Sequence, residues 1–229
     1  MKLKPILTTV ALLLASHSVF AAGGVVLGAT RVVYNAAEKE ASITVNNSSD
    51  KQYFLVQSWV EDKDGNKSVP FSITPPLFRL NANKENMLRI LNTGGQLPND
   101  RESVYWINVK AIPPAPDASA GQNVLQLAIK TRIKLFYRPV GLTGKVEDSP
   151  KALQWSVQAG DLVVKNPTPY SVTLSSVKVN GNALKETNMV MPKSEAHLKV
   201  PGGAHSGQVV FDTINDYGGI SPAITASVN

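Results

Sequence analysis

The sequence predicts an all-β protein made of two immunoglobulin-sized sandwiches, and three observations carry that expectation. Short runs rich in Val, Ile, Tyr, Phe and Trp alternate with turn signals along nearly the whole chain, and no sizeable amphipathic helical stretch interrupts them. The stretch from Asn123 to Arg138 alternates between apolar and polar residues with a period of two, the signature of a long strand with one covered face. The turn-prone segment Arg138-Pro139-Val140-Gly141-Leu142-Thr143-Gly144 then reads as a hinge between two portions, each the size of one immunoglobulin-like sandwich.

Taken in order, the chain opens on a leader. Lys2 and Lys4 give a positive start, Ile6 to Ala15 is apolar, and Val19-Phe20-Ala21 ends in a signal-peptidase pattern. The apolar run is too short to span a bilayer core as a permanent helix, so residues 1–21 are expected to be a signal peptide cleaved after Ala21. No later stretch is long and apolar enough to insert in a membrane. The first domain is expected over 22–142, with strands at Val25 to Tyr34, Ala41 to Asn46, Tyr53 to Val60, Met87 to Asn92 and Val104 to Ile112. Asn46-Asn47-Ser48-Ser49-Asp50, Asp64-Gly65-Asn66 and Thr93-Gly94-Gly95 punctuate them. A Pro-rich connection, Pro113 to Gly121, leads into the long strand. There Leu125, Leu127, Ile129, Thr131, Ile133, Leu135 and Tyr137 share one face, and Gln126, Lys130, Arg132, Lys134 and Arg138 the other. The second domain, 143–229, holds strand-like runs at Leu153 to Val157, Leu162 to Asn166, Ser171 to Val179, His197 to Val200, Gln208 to Thr213 and Ile224 to Val228, with Asn180-Gly181 as a tight turn.

Composition narrows the chemistry. With 43% hydrophobic and 17% charged residues the chain is not a disordered one, and without cysteine it has no disulfide scaffold, thiolate zinc site or cysteine nucleophile. Losing Lys2 and Lys4 lowers the formal net charge from +6 to +4, and that excess lies wholly before residue 142. Beyond the leader the histidines are His197 and His205, neither beside another ligand type, so no metal site is expected. Asp62-Lys63-Asp64-Gly65-Asn66 resembles a calcium loop only superficially, because its Gly comes too early and no bidentate Glu closes it. Asp161, Asp212, Asp216, Glu186 and Glu195 are scattered rather than spaced as a catalytic pair. No enzyme activity, catalytic residue or cofactor is therefore expected. The stripe Lys130, Arg132, Lys134, Arg138 could track phosphates, but an exported protein meets little nucleic acid. Basic groups on an edge strand better suit a peptide that pairs with the backbone while its carboxylate is held.

Several segments together carry a resemblance. Gly28-Ala29-Thr30-Arg31-Val32, Thr74-Pro75-Pro76-Leu77-Phe78-Arg79-Leu80, Asp100-Arg101-Glu102-Ser103, Ile133-Lys134-Leu135-Phe136-Tyr137-Arg138-Pro139 and Ile214-Asn215-Asp216-Tyr217-Gly218 resemble the periplasmic pilus-assembly chaperones of the chaperone–usher pathway, in order and across the whole chain after the leader. The resemblance implies a boomerang of two immunoglobulin-like domains in the periplasm. It implies binding of pilus or fimbrial subunits whose sandwich lacks a strand, and delivery to an outer-membrane usher without ATP. By the same resemblance the lent strand is 123–138, with Leu125, Leu127 and Ile129 entering the subunit's groove. Arg31 and Lys134 match the residues that grip the subunit's C-terminal carboxylate, and Glu102, Arg138 and Asp216 match an interdomain ion-pair network. The short connection from Pro113 to Asn123 resembles the short-loop group. Exposed alternating Leu and Ile on an edge strand also lead us to expect a weak self-capping dimer in the free protein.

Three other readings are weaker. A fimbrial subunit or adhesin would carry an alternating N-terminal extension and usually a cysteine pair. A β-sandwich enzyme would need a convergent set of acids, bases or ligands. A carbohydrate-binding module would need Trp59, Trp106 and Trp155 on one exposed face, whereas these sit in strand-like runs and are expected in the core.

Overall fold

The computed structural model describes residues 23–115 and 125–228. The leader, most of the Pro-rich connection and the first two residues of the expected lent strand lie outside the described residues. Among the described residues, the first domain has β1 Val25–Leu27, β2 Arg31–Asn35, β3 Glu40–Asn47, β4 Phe54–Glu61, β5 Phe71–Thr74, β6 Leu77–Leu80, β7 Glu85–Asn92, β8 Ser103–Ile112 and β9 Ile129–Arg138. They form two facing sheets, ordered β1-β3-β7-β5 and β2-β9-β8-β4-β6. Each strand turns its alternate apolar residues inward, so Val45, Val56, Leu88, Ile90, Ile107 and Leu135 are buried in one core. Phe71 closes one end of that core, with ring centroids 5.7 Å from Tyr34, 5.0 Å from Tyr105 and 5.8 Å from Tyr137.

Two strand expectations need correction. The run Val25 to Tyr34 is not one strand: β1 pairs with β3 in one sheet and β2 with β9 in the other, so the chain crosses between sheets at Gly28–Thr30. Among the described residues the long strand begins at Ile129, and Leu125 to Ala128 are not in a strand. Its ladder with β8 ends where Ile129 faces Ala111. Beyond Ile112 stand Pro113 and Pro114, which carry no N–H to continue it. Side-chain alternation reports a face, not a hydrogen-bond partner. The sequence reading also missed β5 and β6, four-residue strands separated by Pro75-Pro76.

A 3-10 helix, Val146–Ala152, leads into the second domain. Its strands are β10 Gln154–Gln158, β11 Asp161–Asn166, β12 Val172–Val179, β13 Asn182–Ala183, β14 Met189–Val190, β15 Ser194–Leu198, β16 Gly207–Ile214 and β17 Ile224–Val228. They make one continuous sheet, β13-β12-β16-β17-β10-β11-β15, with β14 also on β12. It wraps a separate core in which Trp155 and Phe211 lie 5.0 Å apart. Of the three tryptophans, only Trp155 is core. Trp59 and Trp106 lie on the outer face of the first domain, covered by the cations of Lys67 at 4.9 Å and Arg132 at 4.7 Å.

A buried asparagine pins the same kind of strand end in each domain. Asn47 at the end of β3 donates to the carbonyls of Gln52, Leu80 and Asn81, and accepts the Ser49 N–H. Asn166 at the end of β11 donates to Tyr170, Val190 and Met191, and accepts the Thr168 N–H.

Candidate functional site

The site begins with the sheet crossing. β2 runs parallel to β9, and their pairing starts at Arg31 opposite Lys134. Upstream, the chain leaves toward β3, and the N–H of Gly28 already donates to the Thr44 carbonyl at 2.9 Å. Ile129 to Ile133 therefore have β8 on one side and, among the described residues, no neighbour on the other. An unpaired strand edge of this kind is a template for another strand.

The apolar face of β9 passes from covered to bare along this edge. Leu135 is 0% and Ile133 8% exposed, Thr131 is half-buried, and Ile129 is 67% exposed. Leu127 and Leu125, just before the strand, are 67% and 81% exposed. The opposite face carries the cations, which are not equivalent. Arg132 is paired with Glu61 at 3.0 Å, Arg138 with acids of both domains, and Lys130 is solvent-exposed. Such a row does not form a continuous phosphate track.

Arg31 and Lys134 stand apart from those. Arg31 Nη1 donates to the Ile214 carbonyl across the domain boundary at 3.0 Å, its guanidinium lies 5.5 Å from the Phe136 ring, and its buried Nε has no partner. Burial lowers the Arg31 pKa, against the pull of Asp216. Lys134 is half-buried and makes no ion pair among the described residues. Burial, and then the charge of Arg31, push its pKa below the ordinary value. Two neighbouring, partly desolvated cations are a site for an anion. Arg31 borders a cleft of about 260 Å³ that Phe136, Ser171, Thr173, Ile214 and Tyr217 also line, and Lys134 stands opposite Arg31 on the neighbouring strand. The buried hydroxyls of Ser171 and Thr173 are also unpartnered there.

The cleft is framed by ties between the domains. Arg138 Nε donates to Glu102 at 2.7 Å, while its Nη1 and Nη2 grip the two Asp216 oxygens at 2.8 and 3.1 Å. The other Glu102 oxygen accepts the Ser171 N–H at 2.7 Å. Burial pushes the Glu102 carboxyl up, opposed by these hydrogen bonds and by the Arg138 charge. For Arg138, burial is outweighed by Asp216 and Glu102, which raise the guanidinium above its ordinary value. Further ties escaped the sequence reading, among them a backbone bond from the Glu102 N–H to the Pro169 carbonyl at 2.9 Å. Lys193 Nζ meets Asp100 at 2.7 Å, and Gly218, at φ 85°, lies so close to Thr30 that a Cβ would strike the threonine hydroxyl. Asp100 lies in the Asp100-Arg101-Glu102-Ser103 segment, but nothing in the sequence marks Lys193 as its partner.

Fold and site thus define a class: two immunoglobulin-like sandwiches with an open strand edge ending at a cationic cleft. Known proteins agree. "Pili and flagellar-assembly chaperone, PapD N-terminal domain" matches residues 24–143, and "Pili assembly chaperone PapD, C-terminal domain" matches 148–225. Chaperone protein LpfB of Salmonella typhimurium is 46% identical over 224 residues, spanning 97% of this chain and 96% of its own. Chaperone protein FocC of Escherichia coli is 46% identical over 206 residues, 90% of each chain. In the structure of the Salmonella enterica SafA pilin in complex with the SafB chaperone, one chain is 38% identical with a TM-score of 0.82, covering 91% of this chain and 98% of that one. This chain belongs to the family of pilus-assembly chaperones.

Proposed function

We propose that the protein is a periplasmic chaperone that binds pilus or fimbrial subunits by lending them a strand and passes them to an outer-membrane usher. It does so without catalysis, cofactor or ATP. The observation that carries this reading is the junction of an unpaired strand edge with an unpaired cation pair, at Ile129–Ile133 and at Arg31 with Lys134. Because β2 runs parallel to β9, a guest strand that continues its line upstream runs in the same direction and ends at Arg31. A C-terminal carboxylate placed there bonds both cations, relieves their repulsion and fixes the register of the guest. Leu125, Leu127 and Ile129 then enter the guest's groove, which contributes about 5 to 9 kcal/mol before ordering costs.

In this reading 22–142 is the lending domain and 143–229 closes the cleft, while Glu102, Arg138 and Asp216 hold the working angle. Residues 1–21 are the export signal. The same bare edge favours a weak self-capping dimer of the free protein. Co-purification of tagged wild type beside Lys134→Ala, with captured chains identified by mass, tests the reading. A small pilin-like chain is expected with the wild type alone. Equal recovery from both would remove Lys134 from the mechanism, and no partner from either, with candidate subunits expressed, would overturn the chaperone reading.

A further inference from the structure

We propose that Tyr217 reads the last side chain of the guest strand, so that the protein favours partners ending in an apolar or aromatic residue. The inference rests on the carboxylate-anchored reading above and deepens it. Tyr217 is 95% exposed, yet its loop is tightly braced. Ile214 and Ile220 bridge its base. Asn215 Oδ1 accepts the N–H groups of Tyr217 and Gly219 at 3.0 Å each, and the Asn215 N–H donates to the Gly219 carbonyl at 2.9 Å. On one side of the tyrosine Asp216 is gripped by Arg138, and on the other Gly218 abuts Thr30.

Thr30 immediately precedes Arg31, the first residue of β2. The clamped loop therefore stands at the point where a guest strand lying along Ile129–Ile133 would end. The tyrosine lines the same cleft as Arg31 and Phe136. Of the acids lining the cleft, Glu102 and Asp216 are both committed to Arg138 and Glu147 is exposed on the 3-10 helix, while the Tyr217 ring is a large exposed apolar surface beside Arg31 in the same cleft. An anchor that reads only a carboxylate accepts every C-terminus, and discrimination needs a contact that differs between guests. A tyrosine carried on a braced loop supplies large amphipathic contact area with few side-chain torsions left to fix on binding.

The test uses fluorescence anisotropy with synthetic peptides of about ten residues, in which apolar and polar residues alternate as a strand-adding segment requires. They end in Phe, Leu, Gly or Asp with a free carboxylate, with an amidated Phe-ended control. Wild type is expected to bind the Phe-ended peptide about three- to tenfold more tightly than the Gly-ended one. Tyr217→Ala should lose that preference while keeping its thermal midpoint and its need for a free carboxylate. The same preference in Tyr217→Ala, or none in wild type alongside clear carboxylate dependence, would overturn the role of Tyr217 and leave the anchor standing. Equal binding of the amidated peptide, or no binding of any peptide, would overturn the anchored reading and this inference with it.

Discussion

Lys134 is held where a lysine is uncomfortable: burial and the adjacent Arg31 charge both disfavour its protonated form. Between its lowered folded pKa and the ordinary 10.5, the unfolded chain binds a proton that the folded chain does not. Stability therefore rises with pH through the window just below 10.5, and the penalty is present in full below the folded pKa. Lys134→Met removes the charge and keeps the stem. Urea midpoints of the free protein should be no lower than wild type near neutrality and should lack the alkaline rise, while guest binding weakens by roughly 2 to 5 kcal/mol. A variant that loses stability and binding together would mark Lys134 as structural. Little of this was legible in the sequence without the resemblance. Alternation places Lys134 on the polar face with Lys130 and Arg132, but only the parallel register sets it beside Arg31, and only Glu61 removes Arg132 from the set.

In the proposed reading the apolar face of β9 and of the residues just before it serves two purposes, and the exposure of each residue separates them. Leu135 is enclosed in the core, so Leu135→Ala should cost about 2 to 5 kcal/mol in chemical denaturation. Leu127 stands in solvent, so Leu127→Asp should leave the denaturation midpoint within about 0.5 kcal/mol of wild type. The same substitution should abolish the proposed self-association in sedimentation and weaken guest binding. Destabilisation by Leu127→Asp would mean that the leucine packs against its own domain. The sequence makes the shared face plain, because alternation is a local property. It does not show where the ladder stops, although Pro113 and Pro114, reread, supply the reason. The break inside Val25 to Tyr34 was hidden because a chain crossing between sheets can remain apolar throughout.

Across the whole molecule, Arg138 is the bolt between the domains. Arg138→Ala would leave Glu102 buried without its counter-charge, at a cost of about 3 to 5 kcal/mol, and would broaden the interdomain distances seen by small-angle scattering. Adding Glu102→Gln should restore part of the stability but not the fixed angle, because the link to Asp216 is still lost. Unchanged scattering in Arg138→Ala would show that the remaining ties, which include Lys193–Asp100, Arg31 to the Ile214 carbonyl, Glu102 to the backbone of Pro169 and Ser171, and Gly218 against Thr30, suffice to hold the domains. Such pairings are illegible to pattern reading: Glu102 and Asp216 lie 36 and 78 positions from Arg138, and no periodicity links them. Both sandwiches could be foreseen because each is built of local strand and turn signals. Their junction could not, because it rests on individual side-chain and backbone contacts brought together by the folded domains.

The parallel pairing of Arg31 with Lys134 also bears on the order of folding. The two residues stand about a hundred positions apart, at opposite ends of the first domain, and closing so long a loop is entropically costly before its contacts repay it. Pairings between strands closer in sequence close shorter loops at lower cost and are expected to form sooner. The cation pair is thus expected among the last contacts made, so that an incompletely folded chain would offer a bare edge but no anchor. The capacity to hold a guest in register arrives only when the holder has finished folding itself.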